Sequence, residues 1–357
     1  MDQKGGPGRR LVLILGSAVF ALVTAGVCNN AWAKSDRDRV IVDMAARNVA
    51  VPGNPRRVVT LGSAPVINSF VFAMGKGGTI INGLPAAKQF NRSDCCRFQT
   101  IFAPQLDTQP SLEGGDWSLK SETLLLLRPE VVLTATRKHI SLLEKLGIPA
   151  VYIALDARGE RNREVMTFLG KVYDREYESN RYIEYFDSVM HRVRDRTRGI
   201  PEKEKPRVLY CNFKVMTQSS LTADWWIEAA GGISLGKEGP LKEGMRSFSA
   251  EHVLAWNPDV WIVSVPDEVD MVYRDSRFKN VAAVKNKKVF SVPVGSIRWS
   301  HPTSEQPLGV LWAAKLFYPE RFKDLNIKAE MEYFYLTFFR YRLSGKEIKE
   351  MLTGRKQ

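Results

Sequence analysis

Cysteine and histidine are both scarce, four of each in 357 residues. No two cysteines have the Cys-x-x-Cys spacing, so neither a zinc ribbon nor a dense disulfide scaffold is encoded. Four histidines are also too few for a site that captures bare zinc or manganese with several imidazoles and carboxylates. No His-Glu-x-x-His and no phosphate-binding loop occurs, which removes two common enzyme signatures. Ser219, Ser220 and Asp224 with a distant histidine do not make a triad. Lysine and arginine never condense into a block, so the net charge of +13 reads as a solvated basic surface and not a nucleic-acid interface. Beyond residue 27 no apolar run approaches the length that spans a bilayer.

The one long apolar run is at the start. Lys4, Arg9 and Arg10 precede 17 uncharged residues, Leu11 to Val27, and Ala31-Trp32-Ala33 then supplies a small-x-small cleavage site. Residues 1–33 are therefore expected to be a signal peptide, and the mature chain to be exported and soluble. Retention as a membrane anchor is the alternative. Cys28 raises lipoprotein anchoring, but Val27 stands where lipid modification wants a small residue. Cleavage lowers the net charge from +13 to +11 and leaves Cys95, Cys96 and Cys211, an odd number.

The body of the chain repeats itself. SLKSETLLLLRPEVVL at 118–133 aligns without a gap on SFSAEHVLAWNPDVWI at 247–262, an offset of 129. Each copy reads as a short helix stopped before a proline and followed by a buried strand. Val131-Val132-Leu133 and Val260-Trp261-Ile262 are continuous apolar runs, as in parallel strands covered on both faces. Arg57 to Leu61 and Arg207 to Tyr210 supply a leading strand for each copy, and further helix–strand units follow. The fold class is thus α/β, two Rossmann-like lobes: 34–161, then 201–357 with a helical C-terminal extension. Residues 162–200 read as a single long interlobe helix. Ile183, Phe186, Met190 and Val193 form its stripe, and Glu176 to Arg198 would span roughly 34 Å.

In order and spacing these features resemble the helical-backbone class of periplasmic binding proteins that serve ATP-driven importers of iron complexes and cobalamin. The carriers are Arg57 to Ser63, the two Glu-x6-Pro-acidic-Val units, and Leu169-Gly170 before the long helix. Ile67-Asn68 departs from the Thr-Glu pair common in that class, and the tail after Pro319 extends beyond its minimal domain. The resemblance implies a binding protein with no chemistry and no cofactor of its own. It further implies that Glu122 and Glu251 dock on arginines of an inner-membrane ABC permease. A role in neutralising the helix dipole is the alternative for both carboxylates.

Ligand contacts are expected in loops after the strands. Trp117, Arg137, Lys214, Arg246, Arg298, Trp299 and His301 are the candidates, against the alternative that basic loop residues are merely solvated. Aromatic walls with a few cations suit a flat anionic chelate: an iron–siderophore, haem or corrinoid. His301 is either an axial ligand to such a metal or a turn residue. An exported enzyme and a sensor subunit on the same scaffold are the competing readings. The expected partners are the permease and the chelate, with no nucleic acid, and the expected state is a monomer.

Overall fold

A strand, a helix and a proline in fixed order build each half of the molecule. The computed structural model describes residues 38–85, 96–114, 118–156, 161–219, 224–242 and 244–355. The predicted signal peptide, with Cys28, and also Cys95 and Trp117 lie outside the described residues. In the N-lobe, strands Val58–Leu61, Val131–Thr134 and Ala150–Tyr152 pair in that order, all parallel. In the C-lobe the order is Val289–Ser291, Val260–Val263, Arg207–Cys211 and Ile233–Ser234, again parallel. The two repeat strands are buried at every position, as their unbroken apolar sequence requires.

The repeat is structural residue by residue. Helices Ser121–Leu127 and Ala250–Trp256 both end on a left-handed residue, Arg128 at φ 45° and Asn257 at φ 43°. Pro129 and Pro258 then forbid a further helical turn. The acidic residue after each proline pins the neighbouring strand. The Glu130 carboxylate accepts the N–H groups of Arg56 and Arg57 at 2.6 and 3.0 Å, and that of Asp259 accepts the Arg207 N–H at 2.9 Å. Their own N–H groups donate to the carbonyls of Arg57 and Arg207. Pro-acidic-Val is therefore a joint that sets strand register.

The linker is two helices, Asn162–Tyr173 and Glu176–Thr197, and not one helix over 162–200, because the chain turns left-handed at Asp174. The second matches the long helix expected from sequence, at about 33 Å. Its buried stripe is Ser179, Tyr182, Phe186, Val189 and Val193, so Ile183 and Met190 flank the seam and do not form it. An antiparallel hairpin, Asp38–Val42 with Asn48–Pro52, is tied to the linker by Arg39, which donates to Asp174 and to the Lys171 carbonyl.

The C-terminal segment is more than an extension of the C-lobe. Helix Gln306–Phe317 packs on the long linker helix. The π-helical turn Tyr335–Phe339 lies against the N-lobe, with Phe102 rings 5.2 Å from Tyr335 and 5.1 Å from Phe339. Arg97 pairs with Glu350, which is 2% exposed, on the last helix, Gly345–Thr353. One hydrophobic core consequently runs from Val58 and Val131 through Phe186 to Val208, Val260 and Ile348. The lobes are coupled by this segment as well as by the linker.

Candidate functional site

Loops leave the carboxyl ends of the parallel strands in each lobe, the place where open α/β sheets bind ligands. On the N-lobe, Leu61 runs into Gly62 at φ 76°, where a Cβ would sit 2.6 Å from Thr136 Oγ1. The Gly62 N–H donates to Glu113 Oε1 at 2.8 Å. Glu113 is 2% exposed, and burial pushes its carboxyl up to about 7, against the pull of that N–H and of Lys138. Arg137 and Lys138 are exposed at the start of helix Arg137–Lys145. The Arg137 guanidinium lies 4.6 Å from the centroid of the Tyr152 ring, which fixes its direction.

On the C-lobe, Cys211 leads into Asn212 and the exposed Lys214, whose N–H faces Glu268 Oε1 at 3.4 Å. Glu268 is fully buried. Asn212 Oδ1 and Glu268 Oε2 are enclosed without a hydrogen-bond partner among the described residues. After strand Val289–Ser291 the chain makes a turn closed by the Val294–Arg298 bridge. Arg298 is half-buried and its Nε has no acceptor among the described residues. His301 Nδ1 is likewise enclosed. Burial, then the neighbouring Arg298 charge, lowers His301 to about 4, so its ring is neutral at physiological pH.

Arg137, Lys214, Arg298 and His301 thus stand at the strand ends. Trp299 does not: it is 1% exposed and part of the core, because its N–H bonds the Pro293 carbonyl and turns the residue inward under Gly309. It is a packing residue, not a stacking wall. Arg246 is also committed elsewhere. Its Nη1 donates to the Lys237 and Gly239 carbonyls at 2.7 and 3.1 Å, stapling the small antiparallel sheet that holds Met245–Ser247. Glu113, Asn212 and Glu268, the last in the first turn of helix Asp267–Arg274, were not singled out from the sequence, where one carboxylate or amide has no motif.

Two further residues bear on enzyme chemistry. Gly232-Ile233-Ser234-Leu235-Gly236 spells Gly-x-Ser-x-Gly. Ser234 is 4% exposed, and its hydroxyl donates to Asp224 at 2.6 Å, so it is no exposed nucleophile. Cys211 is unbridged and buried, with Trp261 Nε1 3.3 Å from its sulfur, and burial raises its thiol to about 12, an inert state. Among the described residues no three His, Cys, Asp or Glu side chains converge as metal ligands.

Glu122 and Glu251 are exposed in the first turns of the two repeat helices. The two helices are capped differently. Lys120 precedes the first helix without a side-chain cap, whereas Ser249 caps the second together with His252. The Ser249 hydroxyl also holds the Glu251 carboxyl below its usual range. One helical turn on, Leu125 and Leu254 are 43% and 45% exposed on the same faces.

Comparison with known proteins agrees with this architecture. The molybdate-binding protein MolA of Haemophilus influenzae is 25% identical over 329 residues, covering 85% of this chain and 91% of that protein. Its molybdate-bound structure superposes with a TM-score of 0.73 at 23% identity, covering 86% of this chain and 99% of that one. A periplasmic solute binding protein from Veillonella parvula gives 0.76 at 24% identity, covering 88% and 96%. CeuE of Helicobacter pylori in a nickel–histidine complex gives 0.66 at 18%, covering 88% and 99%. These structures establish the fold. Residues 102–294, from Phe102 to the turn after the last C-lobe strand, match the periplasmic binding protein family, and the chain belongs to that family.

Proposed function

We propose that this protein is exported to the periplasm by cleavage of residues 1–33, and there captures an anionic metal species between its lobes for an ABC importer. The observation that carries the ligand class is the sorting of charge at the strand ends. Arg137, Lys138 and Lys214 are exposed and Arg298 is half-exposed, while Glu113 and Glu268 are buried. A solute meeting these loops faces guanidinium and ammonium groups, which suit oxyanions and carboxylate- or catecholate-bearing chelates. Burial of Trp299 weakens the case for a large flat macrocycle held by stacking, so a compact metal oxyanion of the molybdate kind is the favoured ligand. The molybdate-binding relative supports that choice. An anionic iron–siderophore is the second reading, supported by the same cations. Delivery is assigned to Glu122 and Glu251, each with its exposed leucine, as matched halves of a permease-docking surface. The protein acts as a monomer, with no cofactor and no catalysis of its own.

The test is titration calorimetry on secreted, chelator-free residues 34–357 with molybdate, tungstate and sulfate, beside haem, cobalamin and a ferric siderophore. Binding of molybdate, weakened tenfold or more by Arg298→Ala or Arg137→Ala, is the expected result. Binding of the ferric siderophore alone, with the same response, selects the second reading. Binding of neutral cobalamin alone overturns the anionic reading.

A further inference from the structure

Thr303-Ser304-Glu305-Gln306 is a run of four polar residues with exposures of 0, 0, 0 and 3%. A polar run in a core is costly unless its groups are bonded, and here the run bonds the linker, the N-lobe, the 294–298 turn and the C-terminal segment. Asn162 Nδ2, at the start of the linker, donates to the Thr303 carbonyl at 2.9 Å and to Gln306 Oε1. Ser304 Oγ donates to the Ser69 carbonyl at 2.7 Å and its N–H to Ser69 Oγ at 3.2 Å, on N-lobe helix Ala64–Ala73. The Tyr182 hydroxyl of the long linker helix donates to the Ser304 carbonyl at 2.8 Å. Glu305 accepts the Ser296 N–H at 2.9 and 3.1 Å on its two oxygens, the Ser296 hydroxyl, and the Tyr335 hydroxyl of the C-terminal segment.

Glu305 is the member that reaches the ligand loops. Ser296 lies inside the turn whose closing bridge is Val294–Arg298, and Val294 in turn donates its N–H to the Met351 carbonyl of the last helix. The approach is so close that a Cβ at Gly295 would fall 1.9 Å from Glu305 Oε1 and 2.4 Å from the Tyr335 hydroxyl. Only glycine fits there.

We propose that Glu305 is a positioning residue of the ligand cleft: it clamps the 294–298 turn against the C-terminal segment and so holds the Arg298 guanidinium in fixed relation to the N-lobe. This rests on Arg298 facing the ligand. The ionised carboxylate is the form that suits the site, since every group pointed at it is a donor. A protonated carboxyl adds a further donor, and one hydroxyl must turn away. Burial raises this carboxyl to about 6, against the Ser296 and Tyr335 hydroxyls. The titratable groups that face it are Tyr335 from the C-terminal segment and Tyr182 from the linker, both pushed well above their ordinary range, with Tyr185 beyond them. Neither tyrosine ionises where Glu305 does, so a transition near pH 6 in the turn belongs to the carboxyl.

Amide hydrogen exchange on ligand-free residues 34–357 tests this, with protection of 294–298 normalised to strand Val260–Val263. Wild type is expected to lose protection in the turn tenfold or more between pH 7 and pH 5. Glu305→Gln should show the loss already at pH 7 and no pH step. Tyr335→Phe should show a smaller loss and keep the step. Wild-type protection and a wild-type step in Glu305→Gln would overturn the assignment. If that variant does not fold, a wild type without the step overturns it, and an unaltered turn in Tyr335→Phe does so as well. Molybdate affinity of the same variants separates the two readings. A wild type that ignores molybdate sinks that ligand and leaves the exchange result to decide the clamp. Where molybdate binds, Glu305→Gln and Arg298→Ala should weaken it non-additively.

Discussion

The Gly62 N–H and the Glu113 carboxyl meet at 2.8 Å in a site that water does not reach. The bond favours the carboxylate, but burial prevails and lifts the group from 4.5 to about 7. A carboxyl whose folded-state pKa is raised contributes stability that is complete below its unfolded value and is lost as pH climbs through the folded one. Wild-type protein should therefore lose about 3 kcal/mol from this group between pH 4.5 and pH 8. His301 works in the opposite direction. Lowered to about 4, it contributes stability above pH 6.5 that disappears as pH falls through 4. Urea unfolding across this range should show a flatter pH profile for Glu113→Gln, and an unchanged slope would remove Glu113 as its source.

Trp299 makes the sharpest distinction between a ligand wall and a core residue. Fully buried between the 293–301 turn and helix Gln306–Phe317, it should cost about 3–5 kcal/mol when replaced by Ala. The thermal midpoint should drop by several degrees. A ligand-wall residue would instead leave the midpoint unchanged and lower affinity alone. Melting and titration of one variant decide between them.

The joints at Glu130 and Asp259 should act alike, because each carboxylate takes the N–H at the head of its leading strand, Glu130 taking that of Arg56 as well. Glu130→Ala and Asp259→Ala are each expected to cost about 1–2 kcal/mol, the worth of a charge-assisted hydrogen bond. Denaturant midpoints measured side by side test this. A loss confined to one lobe would mean that the repeat is a likeness of sequence with unequal mechanics.

These joints also explain what the sequence disclosed. A helix, a proline, an acid and a β-branched strand are local events with local rules, so the lobes and their parallel strands could be read from 118–133 and 247–262. The long linker helix was legible too, but its seam was misplaced by about one residue. Tyr182 and Val189 are the buried members, and tyrosine carries no clear polarity signal. What sequence did not disclose is contact at a distance. Nothing around Tyr335 or Phe339 says that their rings pack on Phe102 of the other lobe, and nothing local marks Glu113 or Glu305 as buried. Trp299 misled because its place after a strand points to the cleft, whereas its bond to the Pro293 carbonyl turns it into the core.

Glu122 and Glu251 occupy the same turn of equivalent helices, exposed, each one turn before a half-exposed leucine. Glu251 is bonded to Ser249, whereas no capping side chain precedes Glu122, so a purely local role would treat the two unequally. Docking on a two-fold permease would treat them alike. Glu122→Ala and Glu251→Ala should each leave ligand affinity and melting temperature within error of wild type and reduce uptake, with the double variant abolishing it. Transport measured in cells supplied with each variant, beside calorimetry on the purified proteins, checks both halves. A loss of stability in Glu251→Ala alone, with uptake intact in Glu122→Ala, would return the pair to helix capping. Equal defects in uptake, with folding untouched, fit only a partner that reads both lobes at once.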